Sequence, residues 1–184
     1  EELVRVLGRA ARVPSEFYLA HCCADGIPPW DTGAPRLGGW GDYTSAPSDP
    51  FNIWEPVDSS AAAIAAQGFL RLARVLSGAA VHGGHAWLRQ DAEAAVRYRQ
   101  AGLTLARTLF QEPYLSTVPD HEGLILHSVY HRPNGWDRIA PGQKVPNGES
   151  SMWGDYHARE LALMILRDAH ELPRPSFYGW LPAR

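Results

Sequence analysis

The residues of this chain that could do chemistry are mostly aromatic and acidic. Five of its 7 tryptophans, Trp30, Trp40, Trp54, Trp136 and Trp153, fall in or beside two long stretches without helical pattern. Asp31, Asp58, Tyr130, His131 and Asp155 lie among them. A flat indole face stacks on a sugar ring and buries a large apolar area when it does so. Any one such tryptophan is more simply read as a plug that fastens a loop to a core. As a group, with acids and a histidine interleaved, they point to a carbohydrate cleft. Carboxylates are the usual acid and base groups of glycoside cleavage. Each also has a plainer duty: Asp58 can cap the helix that follows it, and Asp155 can do the same after Trp153 and Gly154.

The histidines are less informative. His82-Gly83-Gly84-His85 offers two imidazoles, but no nearby Cys or carboxylate completes a zinc-type set, and the segment reads as a surface turn. His127 and His131 are separated by Ser128-Val129-Tyr130, so on a strand both would face the same side. A hydrogen-bonded pair in the core or cleft is favoured there over metal ligation. His157, early in a helix, satisfies a local partner. No Gly-rich phosphate loop, zinc-protease helix or nucleophile elbow is present, and neither a metal nor a cofactor is called for.

Helices must position these groups. Asp58-Ser59-Ser60 precedes a run of strong helix formers over 61–77. Ala61, Ala65, Gly68, Phe69, Leu72, Val75 and Leu76 share one face, while Ala66 and Leu70 lie on the other side. A helix apolar around most of its circumference belongs in an interior layer. A second helix over 87–111 is amphipathic, with Leu88, Ala92, Ala95, Val96, Leu103, Ala106 and Phe110 as its buried stripe, and Pro113 ends it. A third, over 155–172, buries Leu161, Met164, Ile165 and Ala169 and is stopped by Pro173. A weaker helix covers 3–11, ended or kinked by Pro14 before 17–21. Between the helices, 25–57 and 113–150 are too long for ordinary connections, so both read as ordered loops capping one end of a helical layer structure. The apolar start of 123–131 predicts a short strand.

Composition sets the outer limits. With 184 residues, 45% hydrophobic and 20% charged, the chain is one globular domain and not a disordered or fibrous polymer. Net charge is -3 and Lys144 is the only lysine, which leaves no basic face for nucleic acid. No apolar run approaches the roughly 20 residues that a membrane-spanning helix needs. Adjacent Cys22 and Cys23 cannot close an ordinary disulfide loop. The chain opens at Glu1 without an initiator Met, which suggests that something precedes it.

Three segments, taken in order, resemble a known family. They are Asp25-Gly26-Ile27-Pro28-Pro29-Trp30-Asp31, then Asp58-Ser59-Ser60-Ala61-Ala62-Ala63-Ile64-Ala65-Ala66, then Tyr130-His131 followed by Met152-Trp153-Gly154-Asp155-Tyr156. Together they are similar to the C-terminal half of unsaturated glucuronyl hydrolases, glycoside hydrolase family 88, from the first helix to about Arg167. The resemblance implies an all-α fold: about half of an (α/α)6 barrel over 1–172 with long loops at one rim, and a C-terminal tail over 173–184. It also implies removal of a 4,5-unsaturated uronic acid from lyase-generated oligosaccharides. In that chemistry an aspartic acid protonates the C4=C5 bond, water adds at C5 and the hemiketal collapses.

By motif, Tyr130 and His131 match the family's substrate-facing pair. Trp30 and Trp153 match aromatics near its cleft, and Asp58 matches its helix-start Asp, although Val57 stands where the family has Arg. Those five residues are the expected substrate-binding set. No catalytic residue is carried over, because the family's two catalytic aspartates belong to the half that would precede Glu1. The expected partners are an unsaturated oligosaccharide and either the missing half or a second copy of the chain, since half a ring leaves apolar faces open. The alternative is a non-catalytic carbohydrate-binding or scaffolding half-barrel. Neither nucleic acid nor a membrane is an expected partner.

Overall fold

Four α-helices are formed by the described residues: α1 (Glu2–His21), α2 (Ser59–Leu76), α3 (Ala92–Leu109) and α4 (Met152–Ala169). The computed structural model describes residues 2–78 and 91–173. None of its helices is long and apolar enough to cross a membrane. The His82-to-His85 turn, the start of the 87–111 helix and the tail lie outside the described residues.

Helix α2 is the centre of the packing, as its all-round apolar sequence predicts. Asp58 caps it by accepting from the Ser60 and Ala61 backbone N–H groups, an interaction worth about 1 kcal/mol. Ala62, Ala63, Ala66, Phe69, Leu70, Leu72, Ala73 and Leu76 are buried, and α1, α3 and α4 all touch it. The alanines keep the helix thin, so its neighbours come close. Against α3 the approach is closest at Gly102, where a Cβ would sit 2.8 Å from Leu70 Cγ and 3.1 Å from the Ala66 carbonyl oxygen. Ala61, Ala65 and Val75 are only partly buried and Gly68 is exposed, so the buried surface includes the Ala66 and Leu70 side that the sequence reading set apart.

Of the other helices, α3 is turned relative to its sequence pattern, and α4 keeps its stripe but starts earlier. On α3 the buried stripe is Ala95, Tyr98, Gly102, Leu105, Ala106 and Leu109, whereas Val96 and Leu103 are exposed. Tyr98 looks polar in a binary pattern, yet it stacks on Phe69 at 5.9 Å and donates to Glu16. Its ring supplies the burial that the pattern assigns to Val96 and Leu103. Helix α4 starts three residues earlier than expected because Ser151, not Asp155, caps it: Ser151 Oγ accepts from Gly154 N–H at 3.1 Å. Leu161 and Met164 are buried, Ile165 is half-buried, and Ala169 is exposed. Helix α1 runs through Pro14 without a break. It is held by Tyr18, which bonds the Gly26 carbonyl and meets Phe69 edge-on.

Both long loops are ordered by buried polar groups. In the first, Glu55 is 2% exposed and accepts from Trp30 Nε1 and from Arg36 N–H, both at 3.0 Å. Asp25 accepts from Ser48 N–H and Oγ, and Ser48 reaches the Tyr114 hydroxyl of the second loop. The predicted strand over 123–131 does not form. Residues 123–131 contribute one isolated bridge, Leu115 with Ile125, and His127 has φ 68°, which breaks an extended run. His127 and His131 consequently do not share a face. His127 is buried with both nitrogens engaged: Nε2–H donates to the Pro113 carbonyl, and Nδ1 accepts from Gly148 N–H. With neither lone pair free, it is a core histidine and not a metal ligand.

The two loops converge on the N-terminal end of α2. Asp58 N–H donates to the Pro28 carbonyl and Ser59 N–H to the His127 carbonyl. Ser59 Oγ also meets Ser128 Oγ at 3.2 Å. One rim of the helical layer is therefore built from loop.

Candidate functional site: an aromatic row at the start of the central helix

The site begins with Asp58. Its Oδ1 accepts four hydrogen bonds: from Ser60 N–H at 2.9 Å, Ser60 Oγ–H at 2.6 Å, Ala61 N–H at 3.3 Å and Val129 N–H at 3.4 Å. Burial pushes its carboxyl above the usual aspartate range, and the hydrogen bonds from Ser60, Ala61 and Val129 pull it partly back. Asp58 thus caps α2 and ties the second loop to the helix start.

Ser60 passes this anchoring outward. Its hydroxyl donates to Asp58 and accepts from Trp153 Nε1–H at 3.2 Å. That bond sets the indole of Trp153, in the first turn of α4. Gly154 permits the approach: a Cβ there would lie 2.8 Å from Ser128 Oγ and 3.2 Å from Ser60 Cβ. Trp153 in turn stacks on Tyr130, with centroids 5.4 Å apart and planes at 25°.

Tyr130 also meets Trp136 at 5.8 Å and 31°, and Trp136 meets His131 at 4.9 Å and 43°. Trp136 and Trp153 make no ring contact with each other among the described residues, so the two indoles flank Tyr130. The result is a row, Trp153–Tyr130–Trp136–His131, running outward from Asp58. Tyr130 and Trp136 are 56% and 61% exposed, so the row is a surface and not a core.

A single carboxylate fixes its outer part. Asp137 accepts from Tyr130 N–H at 2.5 Å on one oxygen and from His131 N–H at 3.3 Å on the other. The chain between them turns tightly through Arg132–Asn134 and closes on Gly135 in the left-handed conformation. Sequence reading missed Asp137 and the relay through Ser60. The first has only a weak signal, since Asp137 reaches back across the Pro-Asn-Gly turn to N–H groups 7 and 6 residues upstream. The second depends on contact between α2 and α4 and has no local signal.

Of the five expected binding residues, Asp58, Tyr130, His131 and Trp153 are brought together in this chain of contacts. Trp30 is not. It is half-buried, donates to Glu55, and makes no ring contact with the row among the described residues; it serves the first loop. Trp40 stacks on Tyr43 and packs against the core. Asp31 closes its own turn onto Gly33 N–H. Asp155 is not the helix cap expected of it: its two oxygens accept from Leu124 and Ile125 N–H at 2.9 and 3.0 Å, pinning the second loop to α4. His157 accepts from the buried Gln67, which joins α2 to α4 beneath the row. Among the described residues no cluster of three or more His, Cys, Asp or Glu is placed to hold a metal. A hollow of about 500 Å³ lined by Leu70, Ala73, Arg74, Ala95, Val96 and Arg99 lies between α2 and α3, and none of its lining belongs to the row.

No protein-family model and no curated protein matches the chain. Solved structures do. The chain is similar to the unsaturated glucuronyl hydrolase of Bacillus sp. GL1, responsible for the degradation of glycosaminoglycan, at 25% identity and a TM-score of 0.57 over 91% of this chain. An Asp-to-Asn variant of unsaturated glucuronyl hydrolase with the saccharide dGlcA-Glc-Rha-Glc matches with the same figures. The chain spans about a third, 34%, of the length of the structures it matches. In helices, connections and packing, the chain is a partial unsaturated glucuronyl hydrolase-like fold, a portion of a helical (α/α)6 toroid.

Proposed function

We propose that this chain is the saccharide-gripping portion of a hydrolase that releases 4,5-unsaturated uronic acid from oligosaccharides by hydrating the C4=C5 bond. The observation that carries the reading is the row Trp153–Tyr130–Trp136, anchored on Asp58 at the loop-built rim of an unsaturated glucuronyl hydrolase-like fold. Exposed aromatic rings held by hydrogen-bonded neighbours suit pyranose faces and edges. A saccharide bound in one matched structure, dGlcA-Glc-Rha-Glc, has the chemistry this surface would meet.

Substrate contact falls to Tyr130, His131 and Trp153, with Asp58 positioning them; Trp30 supports the rim from the first loop. The proton donor is assigned to a part of the ring outside this chain: Asp137 and Asp155 spend both carboxylate oxygens on backbone N–H groups, and Asp58 holds the start of α2 through four bonds to one oxygen. The remainder of the ring, or a second copy, would cover the exposed apolar side chains of α1 (Leu3, Leu7, Val13, Phe17) and α4 (Leu163, Leu166). The same commitment of carboxylates favours a second reading, a carbohydrate-binding module without turnover.

Titration of the chain with an unsaturated uronyl disaccharide, followed by calorimetry and by the absorbance of the double bond, tests both. Binding without loss of absorbance is the expected result. Loss of absorbance with this chain alone would refute the division of labour, and no binding would refute the saccharide site. Recovery of turnover on adding an aspartate-bearing partner separates the enzyme from the inert module.

A further inference from the structure

We infer that Trp136 is a stacking platform for a neutral sugar unit beyond the terminal uronate, an outer subsite that lengthens the saccharide this surface can hold. The inference rests on the saccharide reading above and adds to it where chain length is sensed. Trp136 stands two ring contacts out from Trp153, through Tyr130, so a ligand whose first sugar lies at Trp153 meets it with a later unit.

Three observations make it a built surface. The indole is 61% exposed although Tyr130 and His131 both touch it. Its loop is fixed: Asp137 clamps the two residues before the turn, Asn134 and Trp136 N–H groups return to the His131 carbonyl, and Gly135 N–H returns to Arg132. A rigid indole offers contact area with little rotational freedom left to lose on binding. Thirdly, the clamp sets a carboxylate beside the indole. Both Asp137 oxygens are taken by backbone donors, so the ring offers the contact area while the carboxylate charge next to it disfavours a second anion. An uncharged pyranose matches that surface better than a uronate does.

The test is calorimetric titration of the chain and of Trp136→Ala with three probes: an unsaturated uronyl disaccharide, the corresponding tetrasaccharide, and a neutral glucose tetrasaccharide. The substitution is expected to weaken both tetrasaccharides roughly three- to tenfold, the worth of one aromatic contact, and the disaccharide by clearly less. Trp136→Phe, which keeps a ring, should retain most of the affinity. Equal losses for disaccharide and tetrasaccharide, or none for any probe, would overturn the subsite. If the neutral tetrasaccharide binds through Trp136 while the unsaturated disaccharide does not bind, the subsite stands and the uronyl reading falls. If no probe binds the parent chain, both are overturned.

Discussion

Acid should destabilise this fold through one side chain above all, His127. Burial holds its imidazole at about 4, against 6.5 for the free side chain, although the Pro113 carbonyl partly favours the protonated form. The direction of the linkage follows from proton counting. The folded state binds a proton at His127 only near pH 4, and the unfolded chain binds one near 6.5, so the unfolded state is favoured as pH falls between those values. The contribution is fully present above 6.5 and lost on the way down to about 4. At about 1.4 kcal/mol per pH unit, the loss between pH 7 and pH 4 is about 3 kcal/mol, a large part of the stability of a domain of this size. The structural basis is specific: Nδ1 accepts from Gly148 N–H, and a protonated ring would set an N–H against that N–H. Asn tolerates the positive φ at this position and does not titrate. Urea unfolding of the parent chain and of His127→Asn, at several pH values from 7 to 4, isolates the effect from that of the carboxylates. The difference between the two stabilities should shrink or reverse by about 3 kcal/mol across that range. Parallel pH profiles would refute the assignment of the acid sensitivity to this residue.

Two further substitutions probe the packing and the site. Gly102→Ala should cost about 1–3 kcal/mol, because the new Cβ meets both Leu70 and the fixed carbonyl of Ala66; a melting temperature equal to the parent's would mean that α2 and α3 are not so closely apposed. Ser60→Ala and Trp153→Phe should be non-additive, since each breaks the same hydrogen bond. A double-mutant cycle on stability should return a coupling of about 0.5–1.5 kcal/mol, and strict additivity would mean that Ser60 does not hold the indole.

Much of this was legible in the sequence where the signal is local. The Asp58 cap and the interior place of α2 follow from Asp-Ser-Ser ahead of an alanine-rich run, and both are present. Ordered long loops follow from their aromatic content. What failed depended on tertiary contact. The buried stripe of α3 is set by Tyr98, whose hydroxyl finds Glu16 of α1; a two-letter hydrophobic pattern has no means of rewarding a tyrosine for a partner some eighty positions away. The strand over 123–131 has the right apolar start, but His127 adopts a left-handed conformation so that its ring can reach Pro113 and Gly148. Buried hydrogen bonds there outweigh β propensity. At the site, motif identity named Trp30, Asp58, Tyr130, His131 and Trp153; the last four lie in one chain of contacts, whereas Trp30 bonds Glu55 in the first loop.

The acids at this rim explain why the fold and the site are hard to separate. Asp58, Asp137 and Asp155 all sit beside the aromatic row or under it, and a reader of residue types alone would assign them to glycoside chemistry. Each instead accepts backbone N–H groups from a loop that has no sheet or helix to satisfy them. A rim made of irregular chain must meet those donors somehow, since unpaired ones cost roughly 1–3 kcal/mol each when buried. Asp137 and Asp155 do so with two oxygens apiece and Asp58 with one, and in doing so they fix where Tyr130, Trp136 and Trp153 stand. The consequence is a surface whose recognition lies in its rings, with these carboxylates bound to the fold. On this arrangement, exchanging any of the three acids for its amide should disturb ring placement and saccharide affinity together, while changing an exposed acid such as Glu122 should disturb neither.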